Sequence, residues 1–304
     1  PSTPGIDRSE MVKLSDKDLP SFFQEADAAS VKAQNATLAA TRLRLGGAVA
    51  AAIGGVFTLR LWEIDVWAWV ALIGFTVALA SELYLALATP ERLWYQARAG
   101  AESAKTLSWR FAVGADPFFL ELAEREADAL FRRRIAQVAQ QVSEAVQLPK
   151  GDASAPSEAM LQLRQSSLDV KRETYLRDRT ERQRDWYSDK ARHNHLRAIS
   201  WRVSLIVAEV VAVMLAAGRV FAGWNIDAAG VLAALIGAGA AWLAVKQHST
   251  LRAAYSLTAA ELEKQMVSIR AASPNVWAQS VADAEEAISR EHTTWLASRG
   301  EVNE

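Results

Sequence analysis

The chain alternates long polar stretches with four runs almost free of charge, at about Leu45–Leu61, Val66–Ala88, Val203–Ala222 and Ala228–Val245. Each run is roughly 17–23 residues, close to the ~20 that a helix needs to cross the ~30 Å hydrocarbon layer of a bilayer. The runs come in pairs joined by short turns, so the pattern predicts an all-α membrane protein with four transmembrane helices as two hairpins. Extensions of the spans then form a polar helical bundle. Trp62, Trp67, Trp69, Trp201, Trp224 and Trp242 stand at or near the run ends, the depth at which indole is enriched in membranes. Buried core helices of a water-soluble protein are the alternative for the Ala-rich runs; the pairing and the terminal tryptophans favour the bilayer.

The polar stretches read as helices with marked ends. Asp18-Leu19-Pro20 is a helix start, and Phe22 to Arg44 continues unbroken into the first run. Thr89-Pro90 restarts or kinks a helix carrying Leu93, Trp94, Ala97, Ala101, Ala104 and Leu107 on one face. Asp116-Pro117 predicts a further start, for an amphipathic helix through Phe119, Leu122, Ala127 and Phe131 to about Val146. Prolines and a glycine in Leu148–Glu158 break the pattern. From Met160 a charged helical stretch then runs through Arg202 into the third run. The predicted organisation is a first two-transmembrane unit at 1–147, a linker at 148–158 and a second two-transmembrane unit at 159–304. The second half repeats the plan of the first: Tyr95–Lys105 resembles Tyr255–Lys264, and Asp116-Pro117 corresponds to Ser273-Pro274, which suggests duplication.

Charge adds orientation. Arg60 and Arg219 are the only basic residues on the side of the short turns, whereas Arg42, Arg44, Arg92, Arg98, Arg192, Arg197, Arg202, Lys246 and Arg252 flank the runs on the other side. The positive-inside rule then places both termini and the middle segment in the cytoplasm. Pro1–Arg44 lacks the short apolar core of a signal peptide, so the first span is expected to direct insertion. A net charge of −1 over 304 residues gives no basic surplus for a nucleic acid polymer. The absence of cysteine excludes disulfides and thiolate metal sites.

Few residues carry candidate chemistry. Glu209 lies well inside the third run, and Glu82 lies nearer the polar end of the second. A carboxylate at mid-bilayer costs roughly 2.5–3.5 kcal/mol on insertion scales, so both are candidates for lining or gating a pore; pairing between helices is the structural alternative. Glu63, Asp65 and Asp227 in the turns, with Arg219 beside them, would ring an outer mouth, or are ordinary solvated turn residues. Gly47, Ala51 and Gly55 in the first run, and Ala229, Ala233, Gly237 and Ala241 in the fourth, recur every four residues and predict close helix packing. Arg179, Arg182, Trp186 and Tyr187 mix basic and aromatic groups on one charged helix, a surface for a partner helix or an anionic signal. His193 and His195, two residues apart, point to different helix faces and do not make a metal site. Glu285-Glu286 and Glu124/Glu126 are expected on solvated faces. No phosphate loop, G-x-G-x-x-G or HExxH occurs, so neither an enzyme nor a cofactor is expected.

Two sets of residues resemble the SLATT family, two-transmembrane effector domains associated with prokaryotic nucleotide-synthesising and nucleotide-sensing conflict systems. In the first half these are Phe23, Ala26, Asp27, Ser30 and Gln34 before the hairpin, then Ala101, Glu102, Lys105, Trp109-Arg110-Phe111 and Asp116-Pro117-Phe118. In the second half they are Tyr175, Arg179, Gln183, Trp186-Tyr187 and Ala191, then Glu286, Ser289-Arg290-Glu291 and Trp295. The resemblance implies a tandem pair in the inner (plasma) membrane, acting as a homo-oligomeric pore-forming effector in anti-phage or stress defence. It also implies a cytosolic nucleotide signal or sensor protein as partner, and it supplies no catalytic residues. A non-conducting membrane scaffold recruiting sensor proteins through its long helices is the alternative.

Overall fold

A computed structural model describes residues 12–57, 59–61, 64–147, 152–223 and 228–300. The helices, in chain order, are α1 Ser21–Val56, α2 Val66–Ala88, α3 Pro90–Val113, α4 Glu124–Gln141, α5 Glu158–Gln165, α6 Leu168–Tyr175, α7 Arg182–Ala222, α8 Ala228–Lys246, α9 His248–Ala271 and α10 Pro274–Gly300. A π-helical stretch, Leu176–Glu181, joins α6 to α7. Two short strands, β1 Arg60–Leu61 and β2 Ile64–Asp65, pair antiparallel between α1 and α2.

The chain divides into two compact units, and neither is a sequence half. Unit 1 takes Pro1–Lys32, Arg92–Ala191 and Ala253–Glu304; unit 2 takes Ala33–Glu91 and Arg192–Arg252. The expected division at 1–147 and 159–304 is therefore not the division of packing, because α1, α3, α7 and α9 each contribute to both units.

Unit 1 is a helical bundle around one core. Phe22 and Ala26 of α1 meet Ala97, Ala101 and Trp109 of α3, Phe131 and Ile135 of α4, Met160 and Leu163 of α5, Tyr175, and Met266, Ile269, Trp277 and Val281 of the last two helices. Spacings of three and four along each helix put these residues on one face, and their burial supplies the drive for the bundle. Trp109 and Trp277 flank Tyr175, with ring centres 5.8 and 6.3 Å from it. The expected linker packs against this bundle: the Phe22 amide donates to the Ala153 carbonyl at 3.2 Å, and Asp152 pairs with Arg132.

The helix expected to open at Asp116-Pro117 starts instead at Glu124. Buried Arg164 braces the segment between. Its Nη1 donates to the carbonyls of Phe111 and Phe118 at 2.8 and 2.9 Å, and its Nη2 to that of Phe119 at 2.9 Å. The Phe111 and Phe119 carbonyls also accept the Gly114 and Leu122 amides, at 3.3 and 3.2 Å, so the segment is built of turns rather than of a continuous helical ladder. The matching expectation for the second half is met, since α10 opens at Pro274.

Unit 2 contains the apolar runs. Among the described residues, three helical stretches are long and apolar enough to cross a membrane: α2, the apolar part of Leu168–Ala222 and that of Ala228–Ala271. None of the residues in the apolar windows of the latter two is buried. Val203, Ile206, Val207, Val210, Val213 and Met214 of α7 are all more than half exposed. Such a continuous apolar surface belongs against lipid or another helix. The first run stops short of its expected end at Leu61, because α1 ends at Val56 and Arg60–Leu61 pairs as a strand. Its apolar helical part is thus confined to Leu45–Val56. The exits of the two hairpins match, with left-handed Thr89 (φ 39°) between α2 and α3 and left-handed Gln247 (φ 47°) between α8 and α9.

Candidate functional site

Unit 1 holds a cleft of about 670 Å³, within the ~300–1,000 Å³ range of small-molecule pockets. Lys13 to Lys17 form one wall; Phe23 and Asp27 of α1, Arg98, Glu102 and Lys105 of α3, and Asp178, Arg179, Arg182 and Trp186 complete it. Several of these charges are already paired. Lys105 meets Asp16 at 2.7 Å, Arg98 meets Glu102 at 2.5 Å and Asp27 at 3.7 Å, and buried Asp178 takes Arg177 at 2.7 Å and Arg182 at 3.5 Å. The hydrogen bond to Asp178 holds the Arg177 guanidinium above its ordinary pKa.

Behind the cleft lies a buried ion pair. Arg179 and Glu285, with side chains 1% and 0% exposed, bond in two places, Nε to Oε1 at 2.9 Å and Nη2 to Oε2 at 2.7 Å. The Tyr175 hydroxyl donates to Oε1 at 2.9 Å and the Thr106 hydroxyl to Oε2 at 3.0 Å. Burial by itself would lower the Arg179 pKa, but the adjacent Glu285 carboxylate outweighs it and the guanidinium stays charged. Burial, reinforced by Glu285, pushes the Tyr175 phenol well above its ordinary value. This hub joins α3, α6, the π-helical stretch and α10.

Of the residues expected to form a partner or signal surface, Arg182 and Trp186 stand on the cleft wall and are accessible. Arg179 and Tyr187 correct that expectation. Arg179 is spent on Glu285, and Tyr187 is buried with Ala259, Leu262 and Ile288 beside the Tyr255 ring. Glu285 was expected on a solvated face and is fully buried. Its spacing from Val281 and Ile288 is the signal that could have revealed this, for all three share the inward face of α10. Arg164 and Lys171 also escaped the sequence pattern. Burial is the first cause that lowers the Lys171 pKa, and the Arg164 charge is the second, giving about 8 against an ordinary 10.5. Between those values the unfolded chain binds a proton that the folded one does not, so this group makes stability rise with pH from about 8 to about 10.5. Lys171→Met is expected to flatten that rise, as read by thermal unfolding at pH 7.5, 9 and 10.

Unit 2 places the remaining candidates. Glu82 pairs with Arg44 at 2.7 Å across α1 and α2, while its side chain stays more than half exposed. Asp65 accepts the Trp67 and Ala68 amides at 3.1 Å each and caps α2. Glu209 and Arg219 are exposed on α7. Glu63 and Asp227, with the belt residues Trp62 and Trp224, lie outside the described residues.

In the first hairpin Gly47, Ala51 and Gly54 lie at the close contact of α1 and α2. A Cβ added to Gly47 would lie 2.6 Å from the Gly74 carbonyl, and one on Gly54 would lie 2.6 Å from the Trp67 carbonyl and Ala71 amide; Gly55 faces open space. Ala51 is buried between them. Four residues overshoot one helical turn by about 40°, so two such steps carry Gly55 off the face that Gly54 keeps. In the second hairpin Gly239 approaches Leu205, whereas Gly237 faces open space, Ala233 is exposed and Ala241 is half-buried.

Residues 20–172 match SMODS and SLOG-associating 2TM effector domain 3, and residues 175–295 match SMODS and SLOG-associating 2TM effector domain 1. The chain belongs to the SLATT family, in tandem. No curated protein and no solved structure matches it. The two SLATT domains share the core of unit 1 rather than folding apart there: Thr106 of the first bonds Glu285 of the second, and the Trp277 indole donates to the Val113 carbonyl at 2.8 Å.

Proposed function

We propose that this SLATT protein is a membrane effector that assembles with copies of itself into an ion-conducting pore of the inner (plasma) membrane, gated by a cytosolic signal in anti-phage or stress defence. All four apolar runs span as two hairpins, with both termini and unit 1 in the cytoplasm. The family description supports an effector role. The observation that carries the pore is Glu209: an exposed carboxylate without a hydrogen bond or ion pair among the described residues, on a helix whose neighbouring residues are apolar and exposed. Lipid is a costly neighbour for that group, and a water-filled axis between subunits is a favourable one. The cleft beside Arg182 and Trp186 is where a cytosolic signal would bear on α7, the helix that also carries Glu209. Neither catalysis nor a cofactor is part of this reading.

Ion flux into proteoliposomes tests it. Wild-type protein, alone or with candidate nucleotide signals, is expected to dissipate an imposed potassium gradient, and Glu209→Ala to alter the rate or ion preference at least tenfold with assembly preserved. Flux equal to empty liposomes under every condition would leave the scaffold reading. That alternative is favoured by the accessible Arg182 and Trp186 as a docking wall for a sensor protein.

A further inference from the structure

One end of unit 2 gathers cations that have no counter-ion among the described residues. The Arg42 guanidinium of α1 lies 5.3 Å from the ring centre of Trp242, and the Lys246 ammonium of α8 lies 5.0 Å from the same ring. Arg197 of α7 is the third member: its charge and that of Lys246 add to burial in lowering the pKa of His248, whose Nδ1 is 2.7 Å from the Asn194 amide oxygen. Among the described residues, Arg42, Arg197 and Lys246 make neither an ion pair nor a hydrogen bond. Glu82 of α2 is held by Arg44.

An indole face attracts a cation but cannot neutralise it, and two cations on one ring repel each other. Only an added anion removes that repulsion, and a phosphate oxyanion suits it best because guanidinium forms paired hydrogen bonds to phosphate. The position in the chain indicates where the phosphate comes from. Each cation borders an apolar run, Trp242 is a residue type enriched at headgroup depth, and the sequence neighbours Leu43 and Leu196 are exposed, at 58% and 60%. Free phosphate has no use for apolar surface beside the charge, whereas an acyl chain does. Basic pockets between transmembrane helices are known lipid headgroup sites.

We propose that Arg42 and Lys246, both over the ring of Trp242, together with Arg197 of α7 on the same end of the unit, form a binding site for the phosphate of an anionic phospholipid whose acyl chains lie against the adjoining apolar helix surface. The site goes beyond the pore reading and holds or fails without reference to ion flux.

The experiment uses the full chain in neutral detergent, titrated with phosphatidylglycerol, phosphatidylcholine or inorganic phosphate, and reads bound lipid by native mass spectrometry and protection by thermal unfolding. Phosphatidylglycerol is expected to bind at least tenfold more tightly than phosphatidylcholine and to raise the unfolding temperature. The triple variant Arg42→Gln, Arg197→Gln, Lys246→Gln should lose that preference, and Lys246→Arg should keep it. Equal binding of the two lipids by the wild-type protein overturns the proposal, and so does equal protection by inorganic phosphate, which would mean a free-anion site. A triple variant that folds and retains the preference overturns it as well; if that variant does not fold, the wild-type comparison still decides.

Discussion

Arg179→Ala is expected to remove about 3–5 kcal/mol of stability, the usual consequence of leaving one member of a buried ion pair without the other. Glu285 would remain inside the bundle as a carboxylate with only the Tyr175 and Thr106 hydroxyls to stabilise it. The unfolding temperature of the full chain in detergent should fall by about 6–20 °C. The paired replacement Arg179→Met with Glu285→Leu separates the cost of breaking the pair from the worth of having it. It should recover most of the loss, because Arg179 Nη1 has no hydrogen-bond partner and the intact pair is incompletely compensated for leaving water. A loss below about 1 kcal/mol in the single variant would show that the pair is not dry. A double variant as unstable as the single one would instead mean that the polar hub fixes the packing of α3, α6 and α10.

The second large effect belongs to the first hairpin. A Cβ at position 74 would sit 2.6 Å from the Gly47 carbonyl oxygen and 2.7 Å from the Ala51 amide nitrogen. Those are backbone atoms and cannot rotate away, so Gly74→Val must push α1 and α2 apart. Overpacking in a tight core costs about 1–3 kcal/mol, and a backbone collision lies at the upper end or above it. Separation also removes the close helix contact that replaces the hydrophobic effect between helices in lipid. Unfolding titrated with sodium dodecyl sulfate should show the loss. Gly55→Ala and Gly237→Ala, where the added methyl meets open space, should stay within about 0.5 kcal/mol of wild type. Equal damage at positions 55 and 74 would mean that Gly55 is buried against another copy of the chain.

Much of the architecture was legible from pattern. Helix starts at Ser21, Pro90 and Pro274 follow the proline and capping signals read in the sequence. The apolar runs gave α2, α7 and α8 their membrane-compatible stretches. The family motifs were legible too, and several of their residues are packing elements: Phe23, Trp109, Phe111, Phe118 and Tyr175 lie in the core, and Arg179 pairs with Glu285. The candidate site was less legible. Arg164 and Glu285 are ordinary charged residues by type, and only their long-range partners distinguish them from solvated neighbours. The start signal at Asp116-Pro117 was not taken up, and two carbonyls just beyond it are held by Arg164 from far along the chain.

By itself the sequence determined what depends on local spacing: helical elements, apolar runs of spanning length, and membership of a tandem two-transmembrane family. Hydrophobic periodicity and proline geometry act over a few residues, so they are written in the order of the chain. The tertiary structure alone decided which charges are buried and which glycines touch. It also decided that residues from both halves share one core in unit 1, and that Arg42, Arg197 and Lys246 have no acidic partner among the described residues. Those outcomes depend on contacts between residues far apart in the chain. The free energy of a buried charge is set by the groups around it, which no local pattern specifies.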